Sequence, residues 1–217
     1  NRFGPDDMVF AKIDFEGMKR TCFVGQPVVV PIMLINHTRF PITLFTNFIP
    51  GSNLNIRIRQ VGQKARDYLG TDPPGRYPAD QIRMEPLEVI RHNVIVWGDA
   101  EQATSLAFPE PGQYMIEMSL QIFVAESGAR GDLQMDRIGI QIVPTPTEMK
   151  PLVDELTRHN AFTELQRKTL PPELINRMKL YLHDVQKKKI PPSVLTPYIS
   201  MALGNLTAQE WKQSVEN

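Results

Sequence analysis

The chain has 217 residues, with 24 Lys+Arg set against 24 Asp+Glu, 4 His, 1 Cys, 13 Gly and 19 Pro. Hydrophobic residues at 41% and charged residues at 22% exclude wholesale disorder and a collagen-like repeat. Zero net charge gives no electrostatic reason to expect a nucleic-acid partner or an anionic membrane surface.

A lone cysteine, Cys22, excludes an intrachain disulfide and any cysteine-based zinc knuckle. No stretch approaches the roughly 18 consecutive apolar residues of a membrane span, so no membrane insertion is expected of these residues. The sequence starts at Asn1 and not at methionine. The expectation is that an upstream segment has been removed, where a signal peptide would lie, and that the protein resides in the periplasm or outside the cell.

From Met8 to Val143 the pattern is that of strands. Val9, Ala11, Ile13 and Phe15 alternate with Lys12 and Asp14, as on a half-buried strand. Pro27 to Asn36 is a β-branched run whose prolines, Pro27 and Pro31, predict an edge or a bulge in preference to an uninterrupted central strand. Phe40 to Phe45 follows, and Leu54 to Gln60 alternates with Leu54, Ile56 and Ile58 inward. A break from Gly62 to Pro86 contains Gly70, Pro73-Pro74-Gly75 and Pro78, and a loop of that length inside a domain is commonly functional. Strands resume over Glu88 to Trp97, Gln113 to Val124 and Leu133 to Val143. Seven or eight strands at this spacing, with no helical period between them, predict an antiparallel sandwich.

After Val143 the period changes. Thr145-Pro146-Thr147-Glu148 fits a capping box with proline at the first helical position, predicting a helix to about His159. A short segment follows at Phe162 to Arg167. Pro171-Pro172-Glu173 opens a further helix with Leu174, Met178, Tyr181 or Leu182, and Val185 on one stripe. Val194 to Leu203 is another candidate, stopped at Gly204, and Thr207 to Glu210 reads as a further capping box. The expected organisation is a sandwich over 1–144 and a small all-α region over 145–217.

Gly25-Gln26-Pro27-Val28-Val29-Val30, followed by Leu34-Ile35-Asn36-His37-Thr38, resembles the opening strands of bacterial immunoglobulin-like sandwiches. Pro111-Gly112-Gln113-Tyr114-Met115-Ile116 resembles their penultimate strand, and Ile140-Gln141-Ile142-Val143-Pro144 their exit. The likeness covers roughly Met8 to Val143. It is similar to uncharacterised exported bacterial proteins in which such a sandwich is followed by helices, and secondly to domains of the intracellular proteinase inhibitor type. In this fold Gly112 admits the tight turn into its strand, and the phenol of Tyr114 can bond back to the preceding connection, a structural device.

Chemistry-bearing motifs are sparse. His37, His92, His159 and His183 share no metal-ligand spacing, so no metal and no cofactor are expected. His92 is expected to face solvent, opposite the apolar positions of its strand. Cys22 lacks a nucleophile signature, and neither a nucleophile elbow nor a glycine-rich phosphate loop occurs. Lys187-Lys188-Lys189 suits the negative end of a helix. Asn36-His37-Thr38 and Asn205-Leu206-Thr207 satisfy the glycosylation rule. The most suggestive stretch is the middle break, where Arg66, Tyr68, Arg76, Tyr77 and Arg83 are residue types enriched at binding hot spots; the bland reading is a strap shielding a sheet edge.

Together these point to a non-catalytic binding or assembly module whose partner is another protein. The alternatives are a protease inhibitor acting through the 62–86 loop, and a hydrolase whose carboxylates are brought together by the fold.

Overall fold

Alternation of apolar and polar residues dictates the strands of the computed structural model, which describes residues 8–16, 18–70, 77–99, 101–102, 106–159, 161, 170–191, 193 and 195–204. The strands are β1 (Val9–Ile13), β2 (Thr21–Phe23), β3 (Val28–Asn36), β4 (Ile42–Thr46), β5 (Leu54–Gln60), β6 (Arg66–Tyr68), β7 (Asp80–Met84), β8 (Val89–Val96), β9 (Gly112–Val124), β10 (Ala129–Gln134) and β11 (Ile138–Val143). Helices α1 (Lys150–Arg158) and α2 (Pro172–Gln186) follow, then a third, α3, over 195–204.

Two sheets form. The smaller has the order β1-β3-β8, and the larger runs β2-β11-β9-β4-β7, with β5 and β10 also on β9 and β6 on β5. All pairs are antiparallel except β2 with β11, which is parallel. The 13-residue β9 is the spine of the larger sheet. One of its sides takes β11 and then β10, and the other takes β5 and then β4. Ile32 and Leu34 from the small sheet meet Leu44, Ile56, Ile116, Leu120 and Ile138 from the large one in a continuous core. The fold is an immunoglobulin-like β-sandwich followed by helices.

Contrary to the reading of its prolines, β3 is the central strand of its sheet. The carbonyl of Pro31 accepts from the Asp14 N–H at 2.9 Å, just past the end of β1. In an antiparallel strand the N–H and C=O of one residue point the same way. The donor that proline lacks would therefore face the end of β1, and the ladder to β8 is untouched. Asn36 closes this strand: its amide donates to Phe40 O at 2.8 Å, Glu85 O at 2.9 Å and Met84 O at 3.3 Å, and its Oδ1 accepts from Thr38. Asn36 is thus a buried bracket at the end of β3, fully buried and unavailable as a glycan acceptor.

The predicted capping box is not used. Thr145 Oγ1 donates to Val24 O at 2.9 Å, Met149 and Lys150 turn back onto Pro146 O, and α1 begins only at Lys150. The stripe Leu174, Met178 and Tyr181 of α2 is buried as read. The Tyr181 phenol lies 2.9 Å from Ser193 Oγ and 2.7 Å from Thr196 Oγ1, tying α2 to α3. The 162–167 segment and the capping box at 207–210 lie outside the described residues.

The helices share their core with one end of the sandwich. Trp97 and Leu106 cluster with Leu152, Leu156, Leu174 and Ile199. The Trp97 indole N–H donates to Gly25 O at 3.0 Å, and its ring leans on Tyr198 with centroids 5.2 Å apart. Gly25 holds φ +87°, and a Cβ there would fall 2.7 Å from Val153 Cγ1 of α1, so both the turn and the close approach of α1 require glycine.

Trp97→Ala should cost about 3–5 kcal/mol as a large core truncation. Trp97→Phe, which leaves the Gly25 carbonyl unpaired, should cost about 1–3 kcal/mol. Urea unfolding curves of the two variants check both values, and the order Ala worse than Phe is part of the expectation.

Candidate interaction face

Strand alternation divides the residues singled out in the middle break. On β6, Arg66 and Tyr68 point inward and Asp67 points out. The Arg66 guanidinium pairs with Asp99, whose side chain is only 1% exposed, and donates to Ala107 O at 2.6 Å. Tyr68 is buried, and its hydroxyl accepts the Trp97 N–H at 3.2 Å. Burial pushes its phenol well above the usual tyrosine range. These two residues therefore lock β6 onto the segment leading to the helices. Arg76 lies outside the described residues. Tyr77 is partly buried. Arg83 stands exposed on β7, 3.2 Å from Glu85.

The break is also not one loop: β6 pairs with β5 and β7 with β4. To the outer face of the large sheet beside β5 it contributes Asp67. On the outer face of the large sheet, a cleft of about 490 Å³ is lined by Asn55, Arg57, Asp67, Glu117, Ser119 and Gln134, among others. Register explains its chemistry. Arg57 stands opposite Asp67 on one side and Glu117 on the other, and Ser119 lies between Asn55 and Gln134. Two cross-strand rows result, an acid–base–acid row and an amide–hydroxyl–amide row.

Arg57 Nε lies 3.6 Å from Asp67, and Arg137 Nε lies 3.0 Å from Glu117. Asn55 Nδ2 lies 3.5 Å from Ser119 Oγ. Farther along the same face Phe45 and Phe123 pack at 5.9 Å, with Arg130 5.7 Å over the Phe123 ring. Donors and acceptors held on a rigid sheet beside an aromatic pair suit recognition of a polar surface. The sequence signal for this face was the outward set of each alternating strand.

Gly112 and Tyr114 sit at the start of β9. The Tyr114 phenol donates to Glu110 O at 2.9 Å, and its ring meets Phe108 edge-on at 5.2 Å. A Cβ on Gly112 would stand 2.8 Å from Gln60 Nε2. His92 is exposed, as expected, but it is on the same face of β8 as Ile90 and Val94 and stacks on Phe48 at 4.1 Å, which corrects the expectation that it lies opposite the apolar positions. Partial desolvation lowers its pKa. Cys22 is buried, and burial pushes its thiol pKa up. Among the described residues, no helix is long and apolar enough to cross a membrane.

Arg66→Ala should destabilise by about 3–5 kcal/mol, because it strands the buried Asp99 carboxylate. Adding Asp99→Ala should recover part of that loss in a double-mutant cycle of denaturation midpoints. Tyr114→Phe should cost on the order of 1 kcal/mol, the net value of one hydrogen bond, read from the same curves.

No family model matches the sequence, and no curated protein matches it either. Solved structures show likeness at low identity. A β-glucosidase from Listeria innocua aligns over 62% of this chain and 16% of its own length, at 10% identity and TM-score 0.36, so the chain spans about a sixth of that enzyme. The CARDB domain of a Pyrococcus furiosus protein aligns over 63% of this chain and 94% of its own, at 11% identity and TM-score 0.31. A PapD-like domain of human CEP192 aligns over 64% and 87%, at 11% identity and TM-score 0.34.

Proposed function

We propose that the chain is a non-catalytic binding or assembly module that engages another protein through the outer face of its large sheet. The observation that carries this reading is the pair of polar rows across β6, β5, β9 and β10, with Arg57 between Asp67 and Glu117 and Ser119 between Asn55 and Gln134. Sheet register fixes where these side chains emerge, so no backbone has to be ordered when a partner docks. The non-catalytic part of the reading is supported by how the acids are employed. Asp67 pairs with Arg57, Glu117 with Arg137 and Asp99 with Arg66, so these three carboxylates are held by cations in arrangements that serve structure or recognition.

The inhibitor reading is less well supported. Inhibition through 62–86 asks for a projecting segment, whereas Arg66 and Tyr68 within it are engaged with Asp99 and Trp97.

The test compares affinity capture from the native host by the natural chain, by Arg57→Glu on the outer face and by Lys12→Glu on the opposite sheet. A partner specific to the proposed face should be retained by Lys12→Glu. Its affinity for Arg57→Glu should fall about tenfold or more, the scale of one lost charged contact at an interface centre, as measured by calorimetry with the purified partner. Equal affinity for all three chains refutes the assignment of this face.

A further inference from the structure

β8 ends the small sheet. Its ladder with β3 runs without a bulge from Val28↔Val96 to Ile35↔Val89, and among the described residues no strand pairs with its other side. An uninterrupted edge of eight residues is a template for another strand unless it is blunted.

Register decides which backbone groups are free. Pro31 stands opposite Asn93, and its carbonyl points to β1, so this is a pair without mutual hydrogen bonds. By the two-residue period of the ladder the same holds for Val89, Arg91 and Ile95. The N–H and C=O groups of Val89, Arg91, Asn93 and Ile95 therefore face the open edge. Their side chains share the outer face, where Val89 and Ile95 are 42% and 39% exposed and Arg91 lies 3.5 Å from Asp14.

This edge is complementary to itself. Placed antiparallel about a two-fold axis at His92, it sets Val89 against Ile95 of a second copy and Arg91 against Asn93, using all four hydrogen-bonding residues of each strand. Apolar meets apolar, and a cation meets a neutral amide. Sliding the pairing to centre on residue 91 opposes two arginines, which is unfavourable. Centring it on residue 93 puts Arg91 against Ile95 and leaves Val89 beyond the matched edge. An odd shift turns the free donors away from their acceptors. The outer row Phe10, Ile35 and Val89, which lies in register across β1, β3 and β8, would continue onto Ile95 of the second copy.

We infer that two copies of this chain associate through β8, antiparallel and centred on His92, to form one continuous six-stranded sheet from two three-stranded ones. The contact is isologous, so it closes on itself and does not propagate. It stands independently of the polar face of the large sheet.

Sedimentation equilibrium of the full chain at micromolar concentrations should give twice the 24.7 kDa monomer mass. Asn93→Pro removes only an edge-facing N–H and should return the mass to that of the monomer, with an unchanged melting curve at dilutions where the natural chain is also monomeric. His92→Cys places the two thiols directly opposite in a close, non-hydrogen-bonded pair and should cross-link under mild oxidation. Ile95→Cys, whose two thiols would lie roughly 20 Å apart along the strands, should not. A monomer throughout the micromolar range overturns the inference, as does a dimer that tolerates Asn93→Pro or cross-links through residue 95 in place of 92. If His92→Cys does not fold, Asn93→Pro decides the question with the native histidine in place.

Discussion

Thirteen consecutive residues, Gly112 to Val124, alternate so strictly between buried and outward positions that one strand can carry four others. β11 and β10 divide one of its sides, and β5 and β4 divide the other. Because a slip of one residue would turn every core side chain outward, the burial of Ile116, Met118, Leu120, Ile122 and Val124 fixes the register of all four neighbours at once. The rows of the outer face follow directly. Arg57 lies between Asp67 and Glu117 because Ile56 and Ile58 must face the core.

A second constraint acts where the sandwich meets the helices. Trp97 is bonded through its indole to Gly25 and through its backbone N–H to Tyr68, while its carbonyl accepts from Ala107 at 2.7 Å. Arg66 reaches the same segment through Asp99 and Ala107. The residues that seal this end are polar at their tips and apolar along their length, as suits a seam between two cores. Without a disulfide across the sheets, this seam and the main core hold the molecule together.

Much of the fold could be read from the sequence because alternation is a local property. Leu54 to Gln60 and Gln113 to Val124 show their inner faces within a few residues, and the stripe of α2 does so over three turns. What could not be read depended on distant partners. The three-residue β6 is too short for a period to register, and the inward aim of Arg66 and Tyr68 is set by Asp99 and Trp97, about thirty residues on. Thr145 matched a helix cap, but the Val24 carbonyl, some 120 residues earlier in the chain, claims its hydroxyl. Pro31 suggested an edge, although a central strand accepts proline where the neighbour on its N–H side has ended. In the candidate face, the tyrosines and arginines stand out by residue type, while Asp67, which lines the outer cleft opposite Arg57, lies between two of them.

The placement of the helices bears on which surfaces are left for partners. α1 docks at Gly25 and α3 leans on Trp97, so both meet the sandwich at one end and neither covers a broad sheet face. Burying the helical stripe at that end, with Trp97 and Leu106 completing the second core, gives the helices the apolar cover that a short helix needs in water. The outer face of the large sheet keeps its two polar rows, and among the described residues no strand pairs with the open edge of β8. A helix laid across either sheet would have needed an apolar row in place of Arg57, Glu117 and Ser119, or in place of Arg91 and Asn93. The same alternation that builds the core from inward residues therefore determines, through the outward ones, which side chains the sheets present at their outer faces.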